Sequence, residues 1–140
     1  MQRRLISSRV FIVFVVLIAA LQFTTGRALA GPTYTPKAGS VERKAIIDAL
    51  RQPVSKKVKT RVIFELGYFK VRDGWAMVSG SALKANGIRF GDEYLWGEVT
   101  ALLRKDKKTW RVLVWGFASG TDVFDEAREK YPRAPRSIFP

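Results

Sequence analysis

The sequence predicts an α+β domain: an N-terminal helix packed on a four-stranded (or slightly larger), bent antiparallel sheet, with a short C-terminal helix. Three observations predict this class. An apolar stripe at helical spacing begins near residue 41, segments of strand character follow in two hairpin pairs, and a second amphipathic segment precedes the C-terminus. Strands joined by tight turns form antiparallel sheets, and we expect both helices to pack on one face of this sheet.

Residues 1–30 carry the three parts of a secretory signal peptide in order. The basic start MQRRLISSR precedes the apolar run VFIVFVVLIAALQF and then TTGRALA, which ends in an A-x-A site. We therefore expect cleavage after Ala30 and export to the periplasm or out of the cell. An uncleaved anchor is the alternative, but the apolar run is 14 residues long, whereas a membrane-spanning helix needs about 20.

The composition of the remaining chain excludes several classes of chemistry. Cleavage would remove four of the 25 basic residues and none of the 12 acidic ones, leaving a formal charge of +9 that attracts anionic partners. The chain has no cysteine and no histidine. Disulfides, Ser-His triads, cysteine nucleophiles, the usual zinc sites and haem ligation by histidine are thus excluded, and we expect neither a metal nor a cofactor.

The N-terminal part of the mature chain reads as an extended lead followed by a helix. Residues 31–40 (GPTYTPKAGS) are rich in proline and glycine and predict an extended segment before a single domain at 41–140. Ser40 can cap a helix that carries Glu42 in its first turn. The apolar stripe of this helix continues to Leu50, and Pro53 is expected to end it.

The first hairpin is predicted from an alternation that changes phase. Val62, Phe64 and Leu66 alternate with exposed positions, but the alternation is shifted by one residue beyond Gly67, which indicates a β-bulge or a bend. The turn RDG (72–74) leads into the returning strand WAMVSGSALK. The small residues of this strand would permit close packing of either a helix or a ligand.

The second hairpin follows a polar loop at residues 85–96. The turn DKKT joins a third strand (96–105) to a fourth (110–118). The fourth strand is apolar on both sides, so it lies either at the centre of the sheet or under cover on both faces. Its predicted sides are Trp110, Val112 and Val114 on one and Leu113, Trp115 and Phe117 on the other.

The chain ends in a short helix and an apolar plug. The segment DVFDEAREKY has acidic residues first and basic residues last, as the helix dipole favours, and Pro132 ends it. The tail that follows is basic apart from Ile138–Phe139. Trp75 and Trp110 each begin the returning strand of a hairpin, and we expect both to be buried structural residues rather than ligand platforms.

Four motifs resemble those of a group of small exported bacterial proteins of unknown function: ERKAIIDALRQPV, GWAMVSG, VTALLRKDKKTWRVLVW, and TDV followed by APRSIF. The resemblance covers most of the mature chain and implies an exported bacterial domain, without implying any functional residue. A long first helix against a bent antiparallel sheet is also similar to the cystatin-like and NTF2-like architectures, which are the nearest analogy for the fold.

Two clusters are candidates for binding. The second hairpin is basic and carries an aromatic residue, which suits an anionic envelope component or an acidic protein surface, although lysines on strand edges also prevent aggregation. No recognised nucleic-acid motif accompanies it. The loop at 85–96 combines acidic and aromatic side chains. The candidate binding residues are Lys105, Lys107, Lys108, Trp110 and Arg111 on the hairpin, and Asp92, Tyr94 and Trp96 on the loop.

These features favour a non-enzymatic exported binding or accessory protein of the cell envelope, whose sheet face, loop or basic hairpin meets its partner. No residue is assigned a catalytic role. The alternative is a small enzyme that uses carboxylates such as Glu65 or Asp92 for acid/base chemistry on a small molecule or glycan. A deep pocket with convergent carboxylates would favour this enzyme. The alternation of the first strand predicts that Glu65 faces water instead.

Overall fold

The computed structural model describes residues 30–118 and 121–140, so the predicted signal peptide lies, apart from Ala30, outside the described residues. The predicted α+β class is confirmed, because an N-terminal helix, a four-stranded antiparallel sheet of order β1-β2-β3-β4 and a short C-terminal helix are present. The elements are α1 (Val41–Val58), β1 (Val62–Arg72), β2 (Trp75–Lys84), β3 (Glu98–Asp106), β4 (Thr109–Gly116) and α2 (Thr121–Lys130), with 3-10 turns at Asp92–Gly97 and Arg136–Ile138. None of the helices within these ranges is long and apolar enough to cross a membrane.

The two faces of the sheet carry separate apolar cores. On one face α1 buries Ile46, Leu50 and Val54 against residues of all four strands. On the other face α2 and the C-terminal tail pack through Val123 and Ile138. The expectation that both helices share one face is therefore wrong. The reason lies in the central strands, whose side chains are buried on both faces, so that each face needs its own apolar cover.

The predicted bulge at Gly67 is confirmed. The register of β1 against β2 shifts between Leu66 and Tyr68, which turns Tyr68 towards the α2 face while Leu66 faces α1. Gly80 of β2 lies directly under the bulge: a Cβ atom there would come within 2.3 Å of the Glu65 carbonyl oxygen. Gly80 therefore serves close packing of backbone against backbone.

A second bulge, in β4, was not predicted. The register of β3 against β4 shifts between Leu102 and Leu103, and Leu113 is the extra residue of β4. Leu113 and Val114 consequently both contact the α2-side core, whereas Trp115 contacts the α1-side core. The sequence-based assignment of sides to this strand is wrong beyond Leu113. An alternation in which every position is apolar carries no mark of a phase shift, unlike the glycine in β1.

Pro53 lies inside α1 and does not end it, contrary to expectation. The helix continues to Val58 and ends at Lys59, which has a left-handed backbone (φ 57°). Proline in a helix interior removes one backbone hydrogen bond and costs about 3 kcal/mol. The fully buried Val54 and the partly buried Val58 lie in the turns after it and contact the core. Tertiary packing thus holds the last helical turns in place despite the local cost.

Both hairpin tryptophans are buried, as expected. Trp75 is 9% exposed and Trp110 is 5% exposed. The two side chains serve opposite faces, because Trp75 belongs to the α2-side core and meets Tyr131 edge-on, whereas Trp110 belongs to the α1-side core. At the first turn Asp73 and Gly74 both have positive φ angles (48° and 74°), the geometry of a type I′ turn.

Candidate functional site

β4 is an outer strand of the sheet, and its outer edge is open. Within residues 30–118 and 121–140, β4 pairs only with β3, and the two isolated bridges of the chain lie elsewhere. The prediction allowed a central strand or one covered on both faces, and the second alternative holds. An outer strand leaves alternate backbone N–H and C=O groups unpaired, which makes it a template for another chain.

A groove of about 760 Å³ runs between α1 and β4. Small side chains of α1 form one wall, and half-buried apolar side chains of β4 form the other, so the groove is mainly apolar and open to solvent. Its lining includes Ala45, Ala49, Gln52 and Pro53 from α1 and Trp110, Val112 and Trp115 from β4, with Lys108 and Arg111 at the hairpin end.

A second cleft, of about 600 Å³, continues along β4 to its other end. Trp115 lines both clefts, so they adjoin at this side chain. The second cleft is bordered by Lys57 near the end of α1 and by Glu93 and Tyr94 of the loop before β3. The ring centroids of Tyr94 and Phe117 are 5.3 Å apart, which ties this loop to the residue just beyond β4.

The structure therefore places the two predicted clusters at opposite ends of β4 and does not bring them together into one site. The basic hairpin stands at the start of the strand, and the aromatic loop stands at its end. Between its first and last Cα atoms, an eight-residue strand spans about 24 Å, at about 3.4 Å per residue spacing. What joins the two clusters is the edge of β4 and the groove beside it.

The side chains of the basic hairpin point largely into solvent. Lys105, Lys107, Lys108 and Arg111 are exposed, whereas Trp110 forms part of the floor below them. The Lys105 ammonium lies 5.8 Å from the centroid of the Trp110 ring, within range of a cation–π interaction. Asp106 is a weak counter-ion, since its carboxylate is 3.5 Å from Arg111 and both side chains are mostly exposed.

The one carboxylate of α1 in the groove wall already has cationic partners. Asp48 accepts hydrogen bonds from Lys44 and Arg51, at 2.6 Å from the Lys44 ammonium. The hydrogen bond from Lys44, helped by that from Arg51, lowers the pKa of the Asp48 carboxyl below its usual value. Its negative charge is thus largely compensated, and it opposes an acidic ligand in the groove only weakly.

The loop before β3 presents apolar side chains on a strained backbone. Tyr94 is half-buried between Phe90 and Phe117, but Leu95 is 47% exposed and Trp96 is 61% exposed. Both of these exposed residues have left-handed φ angles (46° and 59°), which residues other than glycine rarely adopt. Strain of this kind persists where the surrounding structure enforces it, and it often marks functional segments.

The carboxylates proposed for an enzyme, Glu65 and Asp92, border neither of the two clefts beside β4. Glu65 is exposed, as the alternation of β1 predicts, and it lies on the α2 face in register with Ser81. Glu98 pairs with Ser81 from the other side, which sets the two glutamates about 10 Å apart across the sheet surface. Asp92 lies exposed in the loop. No group of three potential metal-ligating side chains occurs among the described residues.

Sequence reasoning missed the groove and its central residue, Trp115. The available signal is a strand with apolar residues on both sides next to a basic turn, a pattern that also predicts a strand buried in the core. The part of α1 that borders the second cleft was not foreseeable, because Pro53 was expected to end α1. If α1 ended at Pro53, it would not extend beside β4 as far as the second cleft, where Lys57 lies.

Comparisons with models of protein families, with curated proteins and with solved structures find no match for this chain. The resemblance to small exported bacterial proteins and the cystatin-like or NTF2-like analogy therefore stay predictions. What the chain does is inferred from its own side chains and their geometry.

Proposed function

We propose that this protein is a non-enzymatic binding domain of the bacterial cell envelope that receives an extended, acidic segment of a partner protein along β4. The observation that carries the proposal is the open edge of β4 beside an apolar groove, with four exposed basic side chains at one end. The envelope location rests on the predicted signal peptide at residues 1–30.

The shape of the site favours an extended segment over a helix or a small molecule. A peptide strand that adds to a sheet edge gains main-chain hydrogen bonds along its whole length, and alternate side chains turn to the same side. Next to β4 that side is the groove, which has small residues of α1 as its far wall. Apolar side chains at every second position of the peptide would enter the groove.

The charges favour an acidic partner. Lys105, Lys107, Lys108 and Arg111 surround the start of β4, whereas Asp106 is the single acidic residue of that turn and Asp48 is already paired. A charged rim of this kind directs association and selects against basic sequences more than it adds affinity. A second copy of this chain is disfavoured as the occupant, because two mature chains that each carry the formal charge of +9 would repel each other.

Synthetic peptides of the length of β4 test the proposal directly. A peptide with alternating glutamate and valine should bind the mature protein at physiological salt, as measured by fluorescence anisotropy, and should bind less tightly as salt is raised. A peptide with lysine in place of glutamate should not bind. An acidic peptide with a central proline should bind at least about tenfold more weakly, since proline cannot complete the hydrogen-bond ladder.

Matched charge reversals locate the binding surface. The double variant Lys108→Glu/Arg111→Glu should weaken binding of the acidic peptide by at least about tenfold. The control Lys37→Glu/Arg61→Glu makes the same change in net charge at two exposed residues away from the groove. Equal losses in the two variants would mean that net charge alone attracts the peptide. The assignment of the binding surface to the β4 edge would then be wrong.

Hydrogen exchange distinguishes strand addition from surface attraction. With the acidic peptide bound, outward-facing amides of β4 should exchange more slowly, and amides of β1 should be unchanged. Protection that is absent from β4, or equal on both outer strands, would contradict strand addition at this edge.

A further inference from the structure

The backbone nitrogen of Gly31 lies 2.9 Å from the Asp73 carboxylate. Gly31 is the residue that directly follows Ala30, after which the sequence predicts cleavage of the signal peptide. The two residues are 42 positions apart in the chain, so the contact is a product of the fold. A nitrogen at the predicted new terminus thus faces a carboxylate.

The segment around Gly31 is held in place by several independent contacts. Tyr34 forms an antiparallel bridge with Val71, through backbone hydrogen bonds of 3.0 and 2.8 Å. The Thr33 hydroxyl is hydrogen-bonded to that of Ser137 in the C-terminal tail. These contacts hold the N-terminal segment beside β1, and they bring Gly31 to the first hairpin turn.

Asp73 is suited to receive a positive charge. It is the first central residue of the turn, with a φ angle of 48°, and its side chain is exposed. One carboxylate oxygen contacts Gly31 and the other lies 3.4 Å from Arg72. Arg104 donates to the backbone carbonyl of Asp73 and not to its carboxylate.

We propose that Asp73 is the receptor of the α-ammonium group that forms when the Ala30–Gly31 bond is cleaved. Hydrolysis of this amide consumes one water molecule, leaves a carboxylate on Ala30 and leaves a protonated amine on Gly31. The neutral N–H···O bond then becomes a charge-assisted ion pair, which is the stronger of the two. Processing therefore anchors the N-terminal segment to the turn between β1 and β2.

The proposal rests on the predicted signal peptide and does not depend on the role of β4. The full 140-residue chain should be produced in an exporting bacterium and its processed form analysed by mass spectrometry. Gly31 should be the first residue. A different first residue, or a chain that keeps residues 1–30, would overturn the proposal.

The ion pair itself is tested by titrating the α-amino group of the processed protein by NMR. An exposed ion pair of ordinary strength raises the pKa of the amine by about 0.2 to 0.7 units above its usual 7.7–8.0. Asp73→Asn should return this pKa to the usual range, and asparagine tolerates the left-handed backbone of the turn. Asp106→Asn, at the other hairpin, should leave it raised. Equal pKa values in the protein and in Asp73→Asn would overturn the proposal.

Discussion

The two outer edges of the sheet are treated differently by the rest of the chain. The β1 edge is protected at both ends: Tyr34 pairs with Val71, the Thr35 hydroxyl donates to the Phe69 carbonyl, and Arg51 donates to the Val62 carbonyl. Between these contacts Gly67 forms a bulge. No described segment pairs with the outer edge of β4, which has a groove beside it instead.

Natural sheets block both edges because an open strand invites aggregation. In this chain a paired segment, an arginine and a bulge protect the β1 edge, whereas no comparable feature among the described residues covers the β4 edge. Most side chains of β4 are also apolar, and exposed charge on it is concentrated at Arg111 and the adjoining turn. This contrast is the main reason for assigning the partner to β4.

The largest expected effect comes from adding a side chain at Gly80, where β2 lies against the bulge of the protected edge. Gly80→Val puts side-chain atoms where the Glu65 carbonyl and the Leu66 Cα lie, at 2.3 and 2.6 Å from an added Cβ. Backbone atoms cannot yield as a flexible side chain does. The variant should lose about 3 kcal/mol or more of unfolding free energy in urea, or fail to fold.

Gly67→Ala is the control for this substitution. A Cβ atom at Gly67 meets no atom within 4 Å, so the change should stay within about 0.5 kcal/mol. A Gly80→Val protein of ordinary stability would mean that the bulge does not press on β2, and the account of the β1 edge would have to be revised.

A smaller loss is expected from unpairing the N-terminal segment. Tyr34→Pro removes the N–H group that donates to the Val71 carbonyl, and it also removes the hydroxyl that donates to Glu42 at 2.7 Å. The free energy of unfolding should fall by about 1 to 2 kcal/mol. Tyr34→Phe keeps the backbone bond and should lose less than half of that. Equal losses would show that the backbone bridge adds nothing to the stability of this edge.

Much of the fold could be predicted because local signals agree with it. Gly67 marks its bulge by a change of phase, Asp73-Gly74 marks its turn, and Ser40 caps α1 by accepting from the Arg43 N–H. The failures occur where distant packing overrides a local rule. Pro53 stays helical because residues beyond it are buried against the sheet.

The candidate site was harder to predict, because it depends on strand order. The sequence indicated a basic hairpin and an aromatic loop, yet nothing in it places β4 at the outside of the sheet. An apolar strand suggests burial, and burial by helices on both faces is compatible with an open edge. The left-handed backbone at Leu95 and Trp96 was equally hard to predict, since neither residue type favours it.

Replacing Arg111 in β4 is expected to change self-association and not folding. Arg111 is the exposed basic residue within β4 itself, and such residues prevent open edges from pairing with one another. Arg111→Val should change unfolding free energy by no more than about 0.5 kcal/mol. It should nevertheless raise the rate of association, measured by light scattering at several concentrations.

Arg61→Val provides the comparison for this test. It removes the same charge from an exposed position just before the protected β1 edge. A similar rise in both variants would indicate that loss of charge alone drives association, and the distinction between the two edges would be weakened.

The smallest effect is a pH dependence confined to the protected edge. Burial, then the hydrogen bond to Glu42 and the negative charge of Glu42, raise the pKa of Tyr34 from 10.0 to about 12. A raised pKa favours the neutral phenol in the folded state. The stabilisation is therefore complete below pH 10, the unfolded value, and is lost as the pH rises towards 12. It is small, because Tyr34 is 42% exposed.

Phenolate absorbance separates this group from the other tyrosines. The difference between the titration curves of the protein and of Tyr34→Phe should have its midpoint near pH 12. Glu42→Gln should lower that midpoint, since the amide carries no charge to oppose the phenolate. A difference midpoint at 10 would mean that the Tyr34–Glu42 contact does not form in solution, and that the backbone bridge holds the segment without it.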